Sequence, residues 1–346
     1  MAIAPPTGPD PPARRRLARR VVRARRWAAR HRLRLSVGFA IAVVLIAFAA
    51  LAAILKDLSW AEVAQALRSI SVRQLSLALA LTVASYLSLT FYDVLALQAI
   101  GRPLPWWRAA LGSFSAYCFS HNFGFAPVTG AAARWRAYAG TGLTPADIAR
   151  IVVIAGVTFW LGIFLMFGLF LVQVPGALRW HDATLPQPIQ AALGLGVLGV
   201  LAAYLVACAR RTGPLRILGW SLPVPTLPQA LAQFGLAALD ISLAAAALLA
   251  LLPGDPWAQF GAFLVAYVIA MIVALLSHAP GGLGVFEAAI LVSLPQVGRA
   301  DLVSALIVYR LLYHWLPLLA AVLLLGGREA LRFRATPFSP DQGGGG

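Results

Sequence analysis

The sequence predicts an all-α, polytopic helical membrane protein with about six spanning helices, two re-entrant broken helices and an inverted repeat. Its 346 residues are 60% hydrophobic and 12% charged, and the mean hydropathy is +0.81, unlike the composition of a soluble domain. Several apolar runs approach or exceed the roughly 20 residues that a helix needs to cross a membrane. Continuous runs favour helices, because a transmembrane barrel alternates apolar and polar residues.

The N-terminal segment 1–34 is strongly basic, with 11 of the 28 Lys and Arg residues. A basic, partly amphipathic segment just before an apolar run is typical of a helix on an anionic leaflet, so nucleic acid is not the expected partner. The apolar run at 35–55 is too long for an ordinary signal peptide and is followed by further spans. The sequence therefore predicts an uncleaved membrane anchor.

Six segments are predicted to span the membrane, judged by apolar length and by the absence of interior charge clusters. They are residues 35–55, 75–99, 147–173, 188–208, 229–252 and 302–325. Two further apolar stretches, 107–130 and 257–292, are interrupted by glycine and proline, which break a helix. The domain organisation that follows is a basic cytoplasmic segment 1–34, one transmembrane domain 35–327 and a short cytoplasmic tail 328–346.

The distribution of basic residues decides whether the two broken stretches cross. If both are re-entrant and the N-terminus is cytoplasmic, 22 Lys and Arg residues lie inside and five outside, with Arg310 within the membrane. If both crossed, the basic loops around Arg150 and Arg210 would face outward, against the tendency of basic residues to remain cytoplasmic. The pattern therefore predicts two re-entrant stretches and cytoplasmic N- and C-termini.

The two broken stretches begin alike, with PWWRAALGSFSAY at 105–117 and PWAQFGAFLVAY at 256–267. Each follows an apolar span and precedes a Pro/Gly break. Three predicted crossings separate the two units, so they would be inverted relative to each other. Broken helices that meet near the midplane of inverted repeats are a common transporter plan, whereas chance recurrence of a Pro-Trp pair is the alternative.

Charged residues within the apolar segments are costly and therefore need partners or a function. Glu287 follows a glycine turn, where a helix N-terminus favours a carboxylate, and Arg310 is its nearest plausible partner, as a structural ion pair or in a substrate or proton-linked role. Asp93 and Asp240 lie in corresponding spans, where a hydrogen bond to a neighbouring helix or to backbone would satisfy them. His121, His278 and His314 lack metal-ligand spacing, so each is expected to be a satisfied interior or interfacial histidine.

The stretch HNFGFAPVTGAAARWRAY, residues 121–138, contains Gly124, Pro127 and Gly130, which permit a helix break. A helix that restarts after this break would place Arg134 and Arg136 in its first or second turn. Guanidinium groups near a helix N-terminus suit a phosphate, and the abundant phosphate of a membrane is the lipid headgroup. The alternative is that both arginines only set the topology.

No phosphate-binding GxxxxGK[ST], GxSxG elbow or dinucleotide fingerprint occurs in the sequence, so no catalytic residue is assigned and no enzyme activity is predicted. No cofactor and no metal site are expected either. Cys118 and Cys208 lie singly in apolar stretches without metal-ligand spacing.

Four segments occur in order along the chain: FYDVLAL, SFSAYCFSHNFGFAPVTGAAARWRAYAGTGLTPADIARI, APGGLGVFEAAIL and YRLLYHWLP. With them the chain resembles, over roughly residues 35–330, the membrane domain of the lysylphosphatidylglycerol synthase, or multiple peptide resistance factor, family. The resemblance implies a flippase for an aminoacylated or related lipid. The family's TGxxxRxRxY pattern corresponds to Thr129, Gly130, Arg134, Arg136 and Tyr138, and its GGxGxxE pattern corresponds to Gly281, Gly282, Gly284 and Glu287. The candidate substrate-binding residues are those of the first pattern together with Asn122. The candidate hinge or re-entrant-turn residues are Gly124, Pro127, Pro280, Gly281, Gly282 and Gly284. Only about 20 residues follow the last span, so no synthase domain is expected.

The favoured function is a lipid translocase of the bacterial cytoplasmic membrane that moves a phospholipid or related amphiphile. A scaffold for a lipid-modifying enzyme and a membrane-embedded transferase are the alternatives. The expected partners are membrane lipids, above all anionic phospholipid, and not nucleic acid. A second copy of the chain or a lipid-modifying enzyme remains open as a further partner.

Overall fold

The computed structural model describes residues 59–174, 179–180, 183–210, 213, 215–217 and 220–335. The predicted basic segment 1–34 and the predicted span 35–55 lie outside the described residues. The α-helices are α1 (Trp60–Ser69), α2 (Val72–Ala99), α3 (Trp106–Phe123), α4 (Ala126–Ala137), α5 (Pro145–Gln173), α6 (Gln187–Arg210), α7 (Leu227–Leu249), α8 (Phe260–Ser277), α9 (Val285–Ser293), α10 (Arg299–Tyr309) and α11 (Leu316–Ala335).

Shorter elements connect these helices within the described residues. Two antiparallel pairs of strands lie in the loops on either side of α6: β1 (Arg179–Trp180) with β2 (Ala183–Thr184), and β3 (Leu215–Ile217) with β4 (Trp220–Leu222). Two 3-10 turns, Pro256–Gln259 and Pro280–Gly282, flank α8, and a π-helical segment, Arg310–Trp315, joins α10 to α11.

The helical membrane fold predicted from the sequence is confirmed. Within the described residues, six helical stretches are long and apolar enough to cross a membrane. Five of them correspond to predicted spans: Val72–Ala99, Pro145–Gln173, Gln187–Arg210, Leu227–Leu249 and Arg299–Arg328. The sixth, Pro256–Ser277, is the part of the second broken stretch that precedes the Pro/Gly break. With 22 residues, it is longer than the short re-entrant helix that the sequence suggested.

Helix starts follow from local side-chain chemistry. Ser59, Ser71 and Thr144 cap α1, α2 and α5, and each accepts a hydrogen bond from a backbone N–H three residues later. In every case the side chain of the residue at that third position accepts a hydrogen bond from the cap's own N–H. These reciprocal caps satisfy donors that the first turn of a helix leaves without intrahelical partners.

The direction of each helix follows from cross-helix contacts. Helices α2 and α7 are antiparallel, because Gln74 donates to the carbonyl of Leu252 while Ser85 donates to Asp240. Helices α5 and α7 are parallel, because Gln233 donates to Thr158 and Gly162 packs on Ala237 one turn further along both helices. We call the end of the molecule where α2 ends and α5 begins the basic end. It carries Arg102, Arg108, Arg136, Arg150, Arg210 and Arg328.

Two repeat units run in opposite directions. The first unit, α2 to α5, begins at the opposite end with α2, and its hairpin α3–α4 starts from the basic end. The second unit, α7 to α11, begins at the basic end with α7, and its hairpin α8–α9 starts from the opposite end. One apolar core joins both units and includes Leu89, Leu248, Leu264 and Tyr309, which are at most 1% exposed. The inverted repeat that the sequence predicted is present.

Candidate functional site

The first hairpin, residues 106–137, turns at Gly124 and Phe125, which both have positive φ angles of 68° and 46°. Its second arm, α4, runs back along α3, because the Tyr138 hydroxyl donates to the carbonyl of Ala109 at 3.3 Å. Helix α4 has 12 residues, or about 18 Å, which is too short to cross a hydrocarbon core about 30 Å thick. The first broken stretch therefore enters and returns, as predicted.

The predicted position of the two arginines within this hairpin is wrong. Helix α4 begins at Ala126, so Arg134 and Arg136 lie in its last turn rather than in its first or second. Pro127 is tolerated because the first turn of a helix lacks intrahelical acceptors for its N–H groups. Gly130 stays helical because it packs tightly on α3, where a Cβ would lie 2.8 Å from the Ser120 hydroxyl oxygen. The arginines therefore sit at a helix C-terminus, which favours cations.

Asp93, Arg134 and Tyr138 form a buried cluster that joins α2 to the first hairpin. Arg134 Nη2 lies 2.7 Å from Asp93 Oδ1, and Arg134 Nε lies 2.9 Å from Asp93 Oδ2. The Tyr138 hydroxyl donates to Asp93 Oδ2 at 2.6 Å, and the guanidinium lies over the ring of Tyr117. Asp93 thus bonds to neighbouring elements, as expected, but its partner is one of the two predicted lipid ligands.

This cluster changes what Arg134 can do. Its side chain is 5% exposed and its guanidinium fork faces a carboxylate, so in this conformation the fork is not presented to a phosphate. Arg136, in contrast, is exposed at the basic end. The assignment of these arginines to a lipid headgroup remains a prediction, and the geometry favours Arg136 over Arg134 for direct contact.

The second hairpin, residues 256–293, breaks between His278 and Gly284. His278, Gly281, Gly282 and Gly284 all have positive φ angles, and a Cβ on Gly282 would meet Ala274 at 2.9 Å. Helix α9 returns along α8, since the rings of Tyr267 and Phe286 lie 5.5 Å apart. The predicted glycine turn, which begins at Pro280, is therefore present.

Glu287 and Arg310 form the ion pair that the sequence predicted. Arg310 Nε lies 2.5 Å from Glu287 Oε1, with side chains 10% and 15% exposed. Glu287 Oε2 also accepts from the backbone N–H of Gly284 at 2.8 Å, so it caps α9. Arg310 Nη1 donates to the carbonyl of Gly281 at 2.7 Å. The pair therefore fastens the broken backbone of the second hairpin to the π-helical segment.

The tips of the two hairpins meet inside the molecule. A Cβ on Gly281 would lie 2.6 Å from the carbonyl oxygen of Asn122, and one on Gly124 would lie 3.4 Å from the carbonyl oxygen of Ala279. The Asn122 side chain donates to the carbonyls of Cys118 and His314. Thr129 donates to the carbonyl of Gly124 at 2.8 Å. Asn122 and Thr129 thus satisfy carbonyls around the breaks, a role that their assignment as ligands did not anticipate.

The remaining interior polar groups lie between the repeat units. Asp240 accepts from Ser85 at 2.6 Å, which is the expected bond to a neighbouring helix. His121 Nδ1 lies 3.3 Å from the Tyr86 hydroxyl. His278, in contrast, is exposed, and its Nδ1 lies 2.9 Å from the carbonyl oxygen of Leu276. His314 departs from expectation, because its buried Nδ1 has no hydrogen-bond partner in the described part of the chain.

Sequence reasoning missed Arg108. It lies at the start of α3 beside the end of α4, since the Tyr138 hydroxyl donates to the carbonyl of the next residue, Ala109. Its guanidinium lies 4.9 Å from the ring of Trp107, and its buried Nε has no acceptor among the described residues. The sequence feature that could have identified Arg108 is the Trp-Trp-Arg run at a helix start, since aromatic and basic side chains suit the level of the lipid headgroups.

A small cavity of about 190 Å³ opens at the same basic end. It is lined by Trp135, Tyr138, Ala139, Gly140, Gly142, Leu143 and Ile148. Its aromatic wall and the neighbouring arginines combine apolar and cationic surface. Such a combination can bind an amphiphile with an anionic head.

Together, the apolar spanning helices, two broken hairpins that start from opposite ends and the ion pairs that hold them define a polytopic helical membrane protein with an inverted repeat. The profile of the lysylphosphatidylglycerol synthase transmembrane region matches residues 35–321, so the chain belongs to that family. It is 33% identical over 280 residues to the uncharacterized protein slr0712 of Synechocystis, covering 80% of this chain and 85% of that protein. It is 32% identical over 308 residues to the inner membrane protein YbhN of Escherichia coli, covering 86% and 92%.

Proposed function

We propose that this protein is a lipid translocase that moves a phospholipid or related amphiphile between leaflets. The observation that carries the proposal is the meeting of two broken hairpins, from opposite ends, in the interior. Unwound backbone within a membrane is tolerated where it faces protein or a polar cavity, and transporters place their substrate sites at such breaks. The family match supports a role connected with membrane lipids.

Headgroup capture is proposed at the basic end. Arg136 is exposed there, and Arg108 has a buried Nε donor without an acceptor in the described chain. A phosphate would supply that acceptor, and the guanidinium fork suits its geometry. In this scheme Arg134 is a positioning residue, because its pair with Asp93 holds the end of α4 where Arg136 faces the lipid.

The proposed location is the bacterial cytoplasmic membrane, with the basic end and both termini in the cytoplasm. Six arginines with described side chains lie at the basic end, and Arg68, Arg73 and Arg299 lie at the other. This asymmetry agrees with the tendency of basic residues to remain cytoplasmic. The relative YbhN is named an inner membrane protein.

The proposed chemistry is movement of a finished lipid, without a catalytic step in this chain. The partners that fit are anionic phospholipids and an enzyme that makes or modifies the cargo. The scaffold and transferase alternatives predict different results in the same reconstituted system, so one experiment separates the three.

Translocation is tested with the purified chain in vesicles that contain a trace of phosphatidylglycerol labelled on its acyl chain. A membrane-impermeant quencher reports how fast inner-leaflet lipid reaches the outside. The wild-type chain should make nearly all label accessible, whereas empty vesicles retain the inner fraction. Quenching no faster than in empty vesicles would refute the translocase and leave the scaffold, and a new lipid product on incubation with a lipid-linked sugar would support the transferase.

The headgroup site is tested by Arg108→Gln and Arg136→Gln in the same vesicles. Each removes a charge-assisted contact of about 1.5–3 kcal/mol, so translocation should slow by about tenfold or more. The matched control is Arg73→Gln, an exposed arginine at the opposite end, which should leave the rate close to that of the wild type. Equal rates for all three variants would remove the headgroup site.

A further inference from the structure

Asp240 is a buried carboxylate without a basic partner. It is 4% exposed, in the middle of the spanning helix α7. The other described acidic side chains that lie in the interior are paired: Asp93 with Arg134 and Glu287 with Arg310. In the described part of the chain, no Lys, Arg or His forms an ion pair with Asp240.

The groups that face Asp240 are neutral hydroxyls. Ser85 Oγ donates to Asp240 Oδ1 at 2.6 Å and lies 2.8 Å from the Tyr313 hydroxyl. The titratable side chains that interact electrostatically with Asp240 are tyrosines from four elements: Tyr86 and Tyr92 of α2, Tyr117 of α3, Tyr267 of α8 and Tyr313 of the π-helical segment. Tyrosines are uncharged near neutral pH, so they supply no positive charge.

The other elements packed against α7 also bring no compensating charge to this level. Helix α5 carries its titratable side chains, Asp147 and Arg150, only in its first two turns. Tyr204 of α6 lies nearer the basic end than Asp240, where its hydroxyl donates to the side chain of Gln233. Arg310 is already paired with Glu287. An isolated buried carboxylate is strongly unfavourable unless it is neutralised.

The hydrogen-bonded chain that starts at Asp240 joins both repeat units, because Asp240 accepts from Ser85 and Ser85 is in turn hydrogen-bonded to Tyr313. Ser85 belongs to α2 of the first unit, and Tyr313 belongs to the π-helical segment of the second. Tyr86 of the first unit also donates to the carbonyl of Tyr313 at 3.0 Å. Single π-helical turns occur frequently at functional sites. A relative movement of the two units would therefore change the contacts of the Asp240 carboxyl group.

We propose that Asp240, with Ser85 and Tyr313, is a proton-binding site whose occupancy is coupled to movement of the two repeat units during translocation. The inference rests on the proposed translocase function. Asp240 takes one proton from water on one side of the membrane and returns it to water on the other, and no bond of the lipid changes. A proton is the fitting ligand, because a metal ion requires several donors and no cluster of three or more His, Cys, Asp or Glu residues suits a metal within the described chain.

The site is tested directly by infrared difference spectroscopy of the reconstituted protein as the pH is changed. The wild-type chain should show a carbonyl stretch of a protonated carboxyl group that is lost on titration. The band should be absent in Asp240→Asn, which keeps an acceptor for Ser85, and should move to another frequency in Asp240→Glu. The control Asp147→Asn should keep it. If the spectrum is the same in the wild type and both Asp240 variants, the proton site is refuted.

Coupling is tested by imposing a gradient of about one pH unit on the labelled-phosphatidylglycerol vesicles, with the membrane potential clamped. One proton per lipid would shift the distribution of label between leaflets by up to about tenfold. Asp240→Asn vesicles should show the same distribution with and without the gradient. If the gradient fails to change the distribution of label in wild-type vesicles as well, the proposed coupling is refuted, whereas the proposed translocase function is not. Absence of wild-type translocation would overturn the translocase, and the infrared band alone would then decide whether Asp240 binds a proton.

Discussion

The two hairpins carry charged side chains of opposite sign into the interior of the molecule. In the first hairpin the buried cation, Arg134, lies near the end of the returning arm and pairs with Asp93 on the preceding span. In the second the anion, Glu287, lies in the first turn of the returning arm and pairs with Arg310 on the following segment. Each hairpin brings one charge into the interior, and a neighbouring helix neutralises it.

The hydrogen bonds at the tips of the two hairpins, at Gly124 and Gly281, also differ. The carbonyl of Gly124, in the first tip, accepts from the hydroxyl of Thr129 in the same hairpin. The carbonyl of Gly281, in the second, accepts from the charged Arg310 of another element. The repeat therefore preserves the path of the chain and not its contacts. The arginine of the second ion pair contacts the second tip directly, whereas the ion pair of the first unit lies away from the first tip, nearer the basic end.

The largest effect is expected from breaking the pair of the first unit. Asp93→Asn or Arg134→Gln leaves an uncompensated charge in the interior and should lower the free energy of unfolding by about 3–5 kcal/mol. The double variant should lose less than the sum of the two single losses. Unfolding in detergent, followed as a double-mutant cycle, measures this coupling, and simple additivity would contradict the pairing.

A smaller loss is expected for the pair of the second unit. The side chains of Arg310 and Glu287 are more exposed than those of Arg134 and Asp93, and each keeps a backbone partner, so Glu287→Gln or Arg310→Gln should cost about 1.5–3 kcal/mol. The same cycle checks the coupling. A greater loss here than at Asp93 and Arg134 would reverse the order that burial predicts.

The smallest effect is expected at the tip of the first hairpin. Thr129→Val keeps the shape of the side chain but removes the hydrogen bond to Gly124, which should cost about 1 kcal/mol. Ser293→Ala is the control, because its exposed hydroxyl bonds only to its own helix and should change stability less. Melting temperatures in detergent compare the two variants. Equal losses would mean that Thr129 does not hold the tip.

Much of this architecture could be predicted from the sequence. Apolar length marked the spans, the glycines from Gly281 to Gly284 marked the second turn, and Glu287 and Arg310 were close enough in the chain to be paired. The ion pair of Asp93 with Arg134 could not be predicted, since it forms only after α4 folds back along α3. The start of α4 was misplaced because Gly130 looks like a helix break, whereas tight packing on α3 is what requires a glycine there.

The most direct test of the inverted arrangement is the accessibility of two single cysteines, in a chain from which Cys118 and Cys208 have been removed. The two substitutions are Leu143→Cys and Gln296→Cys. Leu143 lies in the loop between the first hairpin and α5, and Gln296 lies in the loop between the second hairpin and α10. An impermeant thiol reagent applied to oriented vesicles should label the two positions from opposite sides, with Leu143→Cys on the cytoplasmic side. Labelling of both positions from the same side would contradict hairpins that enter from opposite faces.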